Sequence, residues 1–126
     1  RYRVLLLTDN DQHVCLLKRK ERLLEGLWVF PLFSGSEKDP SLKDQLEAMG
    51  LSIDGKMLRM GKWQHVFTHQ IWDMEVFAAR YLHGTLPEGW QWMPLEKLPI
   101  IAMPAAMKGP RSDLDGLRIP KTADDL

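Results

Sequence analysis

Apolar residues follow two rhythms along this chain, and the changes between them mark its elements. Arg1 to Thr8 (RYRVLLLT) and His13 to Arg19 (HVCLLKR) are apolar, β-rich runs separated by the polar Asp9-Asn10-Asp11-Gln12. Two such runs joined by turn-forming residues predict a hairpin. Gly26 to Pro31 (GLWVFP) predicts a short buried strand stopped by its proline, which lacks the N–H that a ladder needs. Between Pro40 and Gly50 the period lengthens. Leu42, Leu46 and Met49 recur at spacings of four and three, which puts them on one helix face. Asp39 or Ser41 suits the start of that helix, and Gly50 its end.

Lys56 to Phe67 and Gln70 to Tyr81 predict two long strands around a loop at Thr68. In the second, Ile71, Asp73, Glu75, Phe77 and Ala79 alternate with Trp72, Met74, Val76 and Ala78. The acids in the first set place the second on the buried face. Trp90 to Met93 predicts one further strand, Pro94 to Leu98 a helical turn, and Met103 to Lys108 a short terminal helix. From Gly109 the chain is polar, with Asp113, Asp115, Arg118, Asp124 and Asp125, and reads as a surface-hugging or disordered tail. The expected division is therefore a domain over residues 1–108 and a tail over 109–126. Strands around a central helix, with a second helix near the end, predict an α+β fold: a mixed sheet flanked by helices.

A length of 126 residues is enough for one domain with its own hydrophobic core. Lys plus Arg balance Asp plus Glu at 17 each, so no global field draws the chain to nucleic acid or a membrane. Contact with DNA would need a local patch or a neighbouring domain. Cys15 is the one cysteine, which excludes an internal disulfide, a four-cysteine zinc site and an iron–sulfur cluster held by this chain alone. Its apolar surroundings predict a buried, inert thiol, and a reducing compartment fits. No apolar run approaches a membrane span, and no signal peptide is present. The chain starts at Arg1 and enters a strand at once, which suggests a domain of a longer protein, or else a processed terminus.

Against this ordinary background, His65-Val66-Phe67-Thr68-His69, flanked by Trp63 and Trp72, stands out. Turn chemistry does not call for two imidazoles, a phenyl ring and a hydroxyl in a tight connection. One reading makes Phe67 a core residue and the histidines rim residues bonded to backbone. The other makes the loop a stacking and hydrogen-bonding surface for a flat polar ligand such as a nucleobase. Lys18, Arg19, Lys20 and Arg22 form a basic segment that reads as either a solvated loop or a phosphate contact.

Gly26-Leu27-Trp28-Val29-Phe30-Pro31, followed by a helix ending in Met49-Gly50-Leu51, resembles the Nudix fold, an α/β/α sandwich. The pyrophosphatase box of that fold, G-x5-E-x7-R-E-U-x-E-E-x-G-U, holds a divalent metal with glutamates on one helix face, and hard carboxylate oxygens suit magnesium. This chain departs from the box. With Gly50 on its last glycine, Lys43 falls on the arginine, Asp44 and Glu47 on two acids, and Ala48 on the third. Val29 falls on the opening glycine and Gly35 on the first acid, and Leu32-Phe33 stands where working enzymes have Gly-Gly. Asp44 and Glu47 then read as solvated helix surface, and no metal ligand is assigned.

A degenerate Nudix fold carrying H-x-F-[ST]-H resembles the C-terminal domain of the MutY-type, A/G-specific adenine DNA glycosylases of base excision repair. Leu23-Leu24-Glu25-Gly26-Leu27-Trp28-Val29-Phe30-Pro31, behind a basic stretch, is similar to that family's L-L-x-G-[LM]-W-x-F-P. Trp92-Met93-Pro94-Leu95-Glu96-Lys97-Leu98 is similar to its W-V-x-L-x-x-L, and Ala102-Met103-Pro104 with Lys108 to its A-[FL]-P…K close. The resemblance covers residues 1–108. It implies a domain that helps recognise 8-oxoguanine paired with adenine in double-stranded DNA, while an N-terminal glycosylase domain of the same chain removes the adenine.

Thr68 is then the base-edge reader, where the family often has serine. Phe67 and His69 fix the loop and line the base, and His65 buttresses it. The resemblance also implies that this domain has no catalytic residue and no cofactor, that a 4Fe–4S cluster lies in the N-terminal domain, and that the protein works in a bacterial cytoplasm on DNA, away from membranes. Two alternatives stand beside it: a magnesium-dependent Nudix nucleotide pyrophosphatase, and a protein-interaction module that kept the scaffold.

Overall fold

The first two apolar runs form β1 (Tyr2–Thr8) and β2 (His13–Lys18), and Val4, Leu5, Leu6 and Leu7 of β1 are all buried. Successive side chains of a strand point to opposite faces, so four buried in a row require cover on both sides. That cover is present. Val4 and Leu6 join one apolar cluster, Leu5 and Leu7 a second on the other face. The computed structural model describes residues 1–10 and 12–124, with residues 118–124 in backbone only. Asp11 of the predicted turn, and Asp125 with Leu126 of the predicted tail, lie outside the described residues.

The remaining strands are β3 (Trp28–Val29), β4 (Leu32–Ser34), β5 (Ser52–Val66), β6 (Ile71–His83) and β7 (Trp90–Pro94). They complete a seven-stranded sheet with the central order β3-β2-β1-β6-β5, β4 pairing with β1 and β7 with β2. β1 runs parallel to β6, from Tyr2 opposite Met74 to Thr8 opposite Arg80, and the other pairings are antiparallel. The sheet is thus mixed, as the pattern predicts.

β3 stops before Pro31, as expected, but the chain resumes at once as β4 on another partner, so that β3 pairs with β2 and β4 with β1, while the Pro31 carbonyl accepts from the Leu5 N–H at 3.0 Å. A residue without an N–H suits the point where the chain changes partner.

The predicted helix is α1 (Leu42–Ala48), capped by Ser41, whose Oγ accepts from the Asp44 N–H at 3.1 Å. Gly50, at φ 86°, takes the left-handed conformation that closes the helix, and the Leu51 N–H bonds back to the Leu46 carbonyl at 2.9 Å. Leu42 and Leu46 cover the second cluster, with Cys15, Leu51 and Ala79.

The Cys15 thiol is pushed up to about 12 by burial, against a backbone hydrogen bond from Gln91 that lowers it. The folded chain therefore keeps its thiol proton where the unfolded chain, with an ordinary value near 9.0, gives it up. Cys15's contribution to stability is present below about pH 9 and is lost as the pH rises toward 12. Native protein at pH 8 is expected to resist alkylation at Cys15 and to react fully in denaturant, as read by mass spectrometry; rapid labelling of the native chain would contradict the buried thiol.

A 3-10 helix (Leu95–Ile100), a second 3-10 turn (Ala105–Met107) and α2 (Lys108–Asp124) cover the first cluster. Here the sequence expectation is corrected. The chain beyond residue 108 continues as a helix, and Leu114 is packed in the core at 1% exposure. Leu114 and Leu117 lie three apart, on one helix face, but Gly109, Pro110, Gly116 and Pro120 around them have low helix propensity and mask that spacing. The helix is held by packing on the first cluster, in which Leu114 is buried and against which Leu117 packs. The long strands reach past their predicted outer ends, to Ser52 and His83, and stop one residue short at the loop, at Val66 and Ile71, with register slips between Ser52 and Ile53, Asp54 and Leu58, and Arg59 and Lys62.

Candidate nucleic-acid interface

β5 and β6 form one long hairpin that ends in the pair Val66 and Ile71. The tip is Phe67-Thr68-His69-Gln70, closed by the Phe67 N–H on the Gln70 carbonyl at 2.7 Å. Thr68, His69 and Gln70 are exposed, whereas His65 and Phe67 are half-buried. Among the described residues, the main-chain amides of Thr68 and His69 find no main-chain acceptor. The tip thus offers a hydroxyl, an imidazole and two free N–H donors to solvent.

Trp72 holds the tip from below. It is 1% exposed, on the face that the strand alternation assigns to the core. Phe67 meets its ring edge-on at 5.0 Å, and His65 in turn meets Phe67 at 4.6 Å. The Trp72 indole N–H donates to Gln70 Oε1 at 3.1 Å, tying the last tip residue to the same ring. Tyr2 packs against Trp72 at 4.8 Å, edge-on, an arrangement favoured by the ring quadrupoles. The first reading of the loop therefore holds for Phe67, which is partly core, while Thr68 and His69 stand exposed on the closed turn above it.

The basic segment divides in two. Arg19 lies with its guanidinium 4.9 Å from the Trp72 ring, its Nε donates to the Leu23 carbonyl at 2.8 Å, and its side chain is only 11% exposed. This is a cation–π and hydrogen-bonded anchor, so Arg19 has little left for a phosphate. Lys18, Lys20 and Arg22 are exposed, with Lys18 Nζ 5.9 Å from the Trp28 ring. Lys18 ends β2, and Lys20 and Arg22 sit on the loop that follows, closed by the Arg19 N–H on the Leu27 carbonyl at 2.9 Å and the Gly26 N–H on the Arg19 carbonyl at 2.8 Å. Through Trp72, this cationic loop and the hairpin tip share one support.

The remnant of the pyrophosphatase box lies on the other face. Asp44 and Glu47 are exposed on α1, which packs on the second cluster, while Trp72 belongs to the first. The third acidic position is Ala48, and Gly35, at the fourth, is buried where a Cβ would fall 2.8 Å from Arg1 Cγ. Among the described residues, no group of three or more His, Cys, Asp or Glu could hold a metal. Two exposed carboxylates on a seven-residue helix do not fit the magnesium of a Nudix hydrolase, which takes several carboxylates converging on one ion.

Sequence reasoning missed three supports. Trp72 was visible as a core residue, not as the base of the tip. Tyr2 and Arg19 lie far from it in sequence, and neither carries a local signal.

A family model described as the NUDIX domain matches residues 3–109. Among solved structures, the C-terminal domain of mouse MUTYH, in complex with human PCNA, is similar at a TM-score of 0.72 and 21% identity, over 93% of this chain and 88% of that one. The NUDIX domain of Shewanella oneidensis NrtR, complexed with ADP ribose, is similar at 0.66 and 15%, over 93% and 85%. The C. elegans Ap4A hydrolase is similar at 0.66 and 13%, over 92% and 96%. At these identities the likeness is one of fold.

Proposed function

The chain belongs to the NUDIX domain family, and from that premise we propose that it is the lesion-reading domain of an A/G-specific adenine DNA glycosylase. In this reading it has no catalytic role of its own and recognises 8-oxoguanine opposite adenine in duplex DNA. The observation that carries it is the exposed Thr68 hydroxyl on a closed tip seated on Trp72. Oxidation turns guanine N7 from an acceptor into an N–H donor and adds a carbonyl at C8. The Thr68 hydroxyl accepts from that N–H, and a free tip amide donates to the new carbonyl. His69 and the half-buried Phe67 and His65 hold the turn and border the base. Lys18, Lys20 and Arg22 meet phosphates alongside, and Arg19 is reserved for Trp72.

Adenine removal needs a general acid and a stabilising carboxylate around an extruded base. In this proposal those groups, and a 4Fe–4S cluster, belong to an N-terminal domain of the full-length protein. The paired acids left on α1 argue against the pyrophosphatase alternative, for which a screen of nucleoside triphosphates with magnesium or manganese is expected to give no turnover.

In the full-length protein, Thr68→Ala is expected to reduce the preference for 8-oxoguanine over guanine opposite adenine by about fivefold, the worth of one net hydrogen bond. Thr68→Ser keeps the hydroxyl and is expected to keep the preference. A combined change of Phe67, Thr68 and His69 should reduce it by about tenfold or more. If single-turnover rates on the two duplexes keep their ratio in that triple variant, the tip is not the reader.

A further inference from the structure

The hairpin that carries the tip is held from a second side, at Gly61 and Trp63, by an element that begins where the family match ends. Asp113 of α2 reaches β5 across a sequence separation of 50 residues. Its Oδ2 accepts from the Gly61 N–H at 3.0 Å and from the Trp63 indole N–H at 2.8 Å. The contact falls where the β5–β6 register slips between Arg59 and Lys62. A bulge leaves a main-chain group without its ladder partner, and here the carboxylate takes up the Gly61 N–H.

Both glycines at the contact are required by space. A Cβ on Gly61 would lie 2.7 Å from Trp63 Nε1 and 2.8 Å from Asp113 Oδ2, and a Cβ on Gly109 would overlap the Trp63 ring. Trp63, His65 and Phe67 occupy alternate positions and so share one face, with Trp63 opposite Met74 and His65 opposite Trp72.

We infer that α2, through Asp113, positions the recognition tip: it fixes the bulged stretch of β5 and with it the height at which Thr68 is presented. The biological meaning rests on the lesion-reading function proposed above; the mechanical claim does not. One oxygen serves both donors, so the contact needs an acceptor with two lone pairs more than it needs a charge. Asparagine can supply that acceptor and alanine cannot.

The test is amide exchange in the 126-residue chain, with the Trp63 indole N–H resonance as a marker of the contact. Asp113→Ala is expected to speed exchange at the Phe67 N–H on the order of tenfold while Leu5 and Leu6 keep their protection. Asp113→Asn should stay close to the parent chain. Gly109→Ala, which displaces the indole with Asp113 intact, should reproduce the loosened tip. Unchanged Phe67 exchange in both disruptive variants, or equal acceleration at Leu5 and Leu6, overturns the inference.

In the full-length protein, Asp113→Ala should also lower the preference for 8-oxoguanine, and Asp113→Asn should restore it. A loosened tip with that preference intact, in a protein whose tip triple variant has lost it, overturns the functional half of the inference, that the positioning serves recognition. If the triple variant itself keeps the preference while Asp113→Ala loosens the tip, the lesion reading fails and the positioning stands.

Discussion

Trp72→Ala is expected to destabilise the chain by about 3–5 kcal/mol, the range for deleting a large buried aromatic ring. The residue is 1% exposed and is the common neighbour of Tyr2, Phe67 and Arg19. Its loss removes their packing and leaves a largely buried guanidinium beside an empty space. It also frees Gln70, so the tip should loosen more than the rest of the sheet. Trp72→Phe keeps much of the ring but not the indole donor, and should cost about 1–2 kcal/mol. Urea denaturation separates the two: a lower midpoint with an unchanged slope reports stability alone. A loss below about 1 kcal/mol for Trp72→Ala would contradict the hub described above.

Ending the chain after Lys108 is expected to have an effect of similar or greater size. It removes Leu114, together with both hydrogen bonds of Asp113, and uncovers Met107, which is fully buried. Leu114→Ala alone should cost about 2–5 kcal/mol, a large share of the about 5–15 kcal/mol typical of a domain. The shortened chain should therefore lose its cooperative transition and bind a hydrophobic dye. A chain ending after Leu117 keeps Leu114 in place and should still unfold cooperatively. Equal melting of the full chain and the chain ending at Lys108 would show that α2 adds nothing to the core.

Much of the architecture was legible in the order of residues. The alternation in β6 located Trp72, Met74, Val76 and Ala78 on a buried face, and all four are buried. The spacing of Leu42, Leu46 and Met49 located α1, with Leu42 and Leu46 buried but Met49 exposed at the C-cap, and of the two candidate caps Asp39 and Ser41 it is Ser41 that closes the start. These are signals carried by neighbours within one element, where backbone geometry alone decides which side chains share a face. The double life of Pro31 was not legible, because the point at which a strand changes partner depends on where β1 and β2 lie.

The site divides along the same line. His65 to His69 drew attention by composition, and their place at a hairpin tip followed from the two strand patterns around them. That Arg19 is a largely buried anchor while Lys18, Lys20 and Arg22 are exposed could not be read from a run of like charges. Only the folded chain distinguishes a cation stacked on Trp72 from one in water.

By itself, then, the order of residues determined the mixed sheet, the central helix, the long hairpin and the chemistry offered at its tip, since each rests on local periodicity or on the identity of adjacent side chains. Tertiary structure alone decided that α2 belongs to the core, that Asp113 closes on Gly61 and Trp63, and that Tyr2 and Arg19 both pack on Trp72. Those are contacts between segments remote in sequence. They form because burial of apolar surface brings distant faces together, and no window along the chain contains both partners.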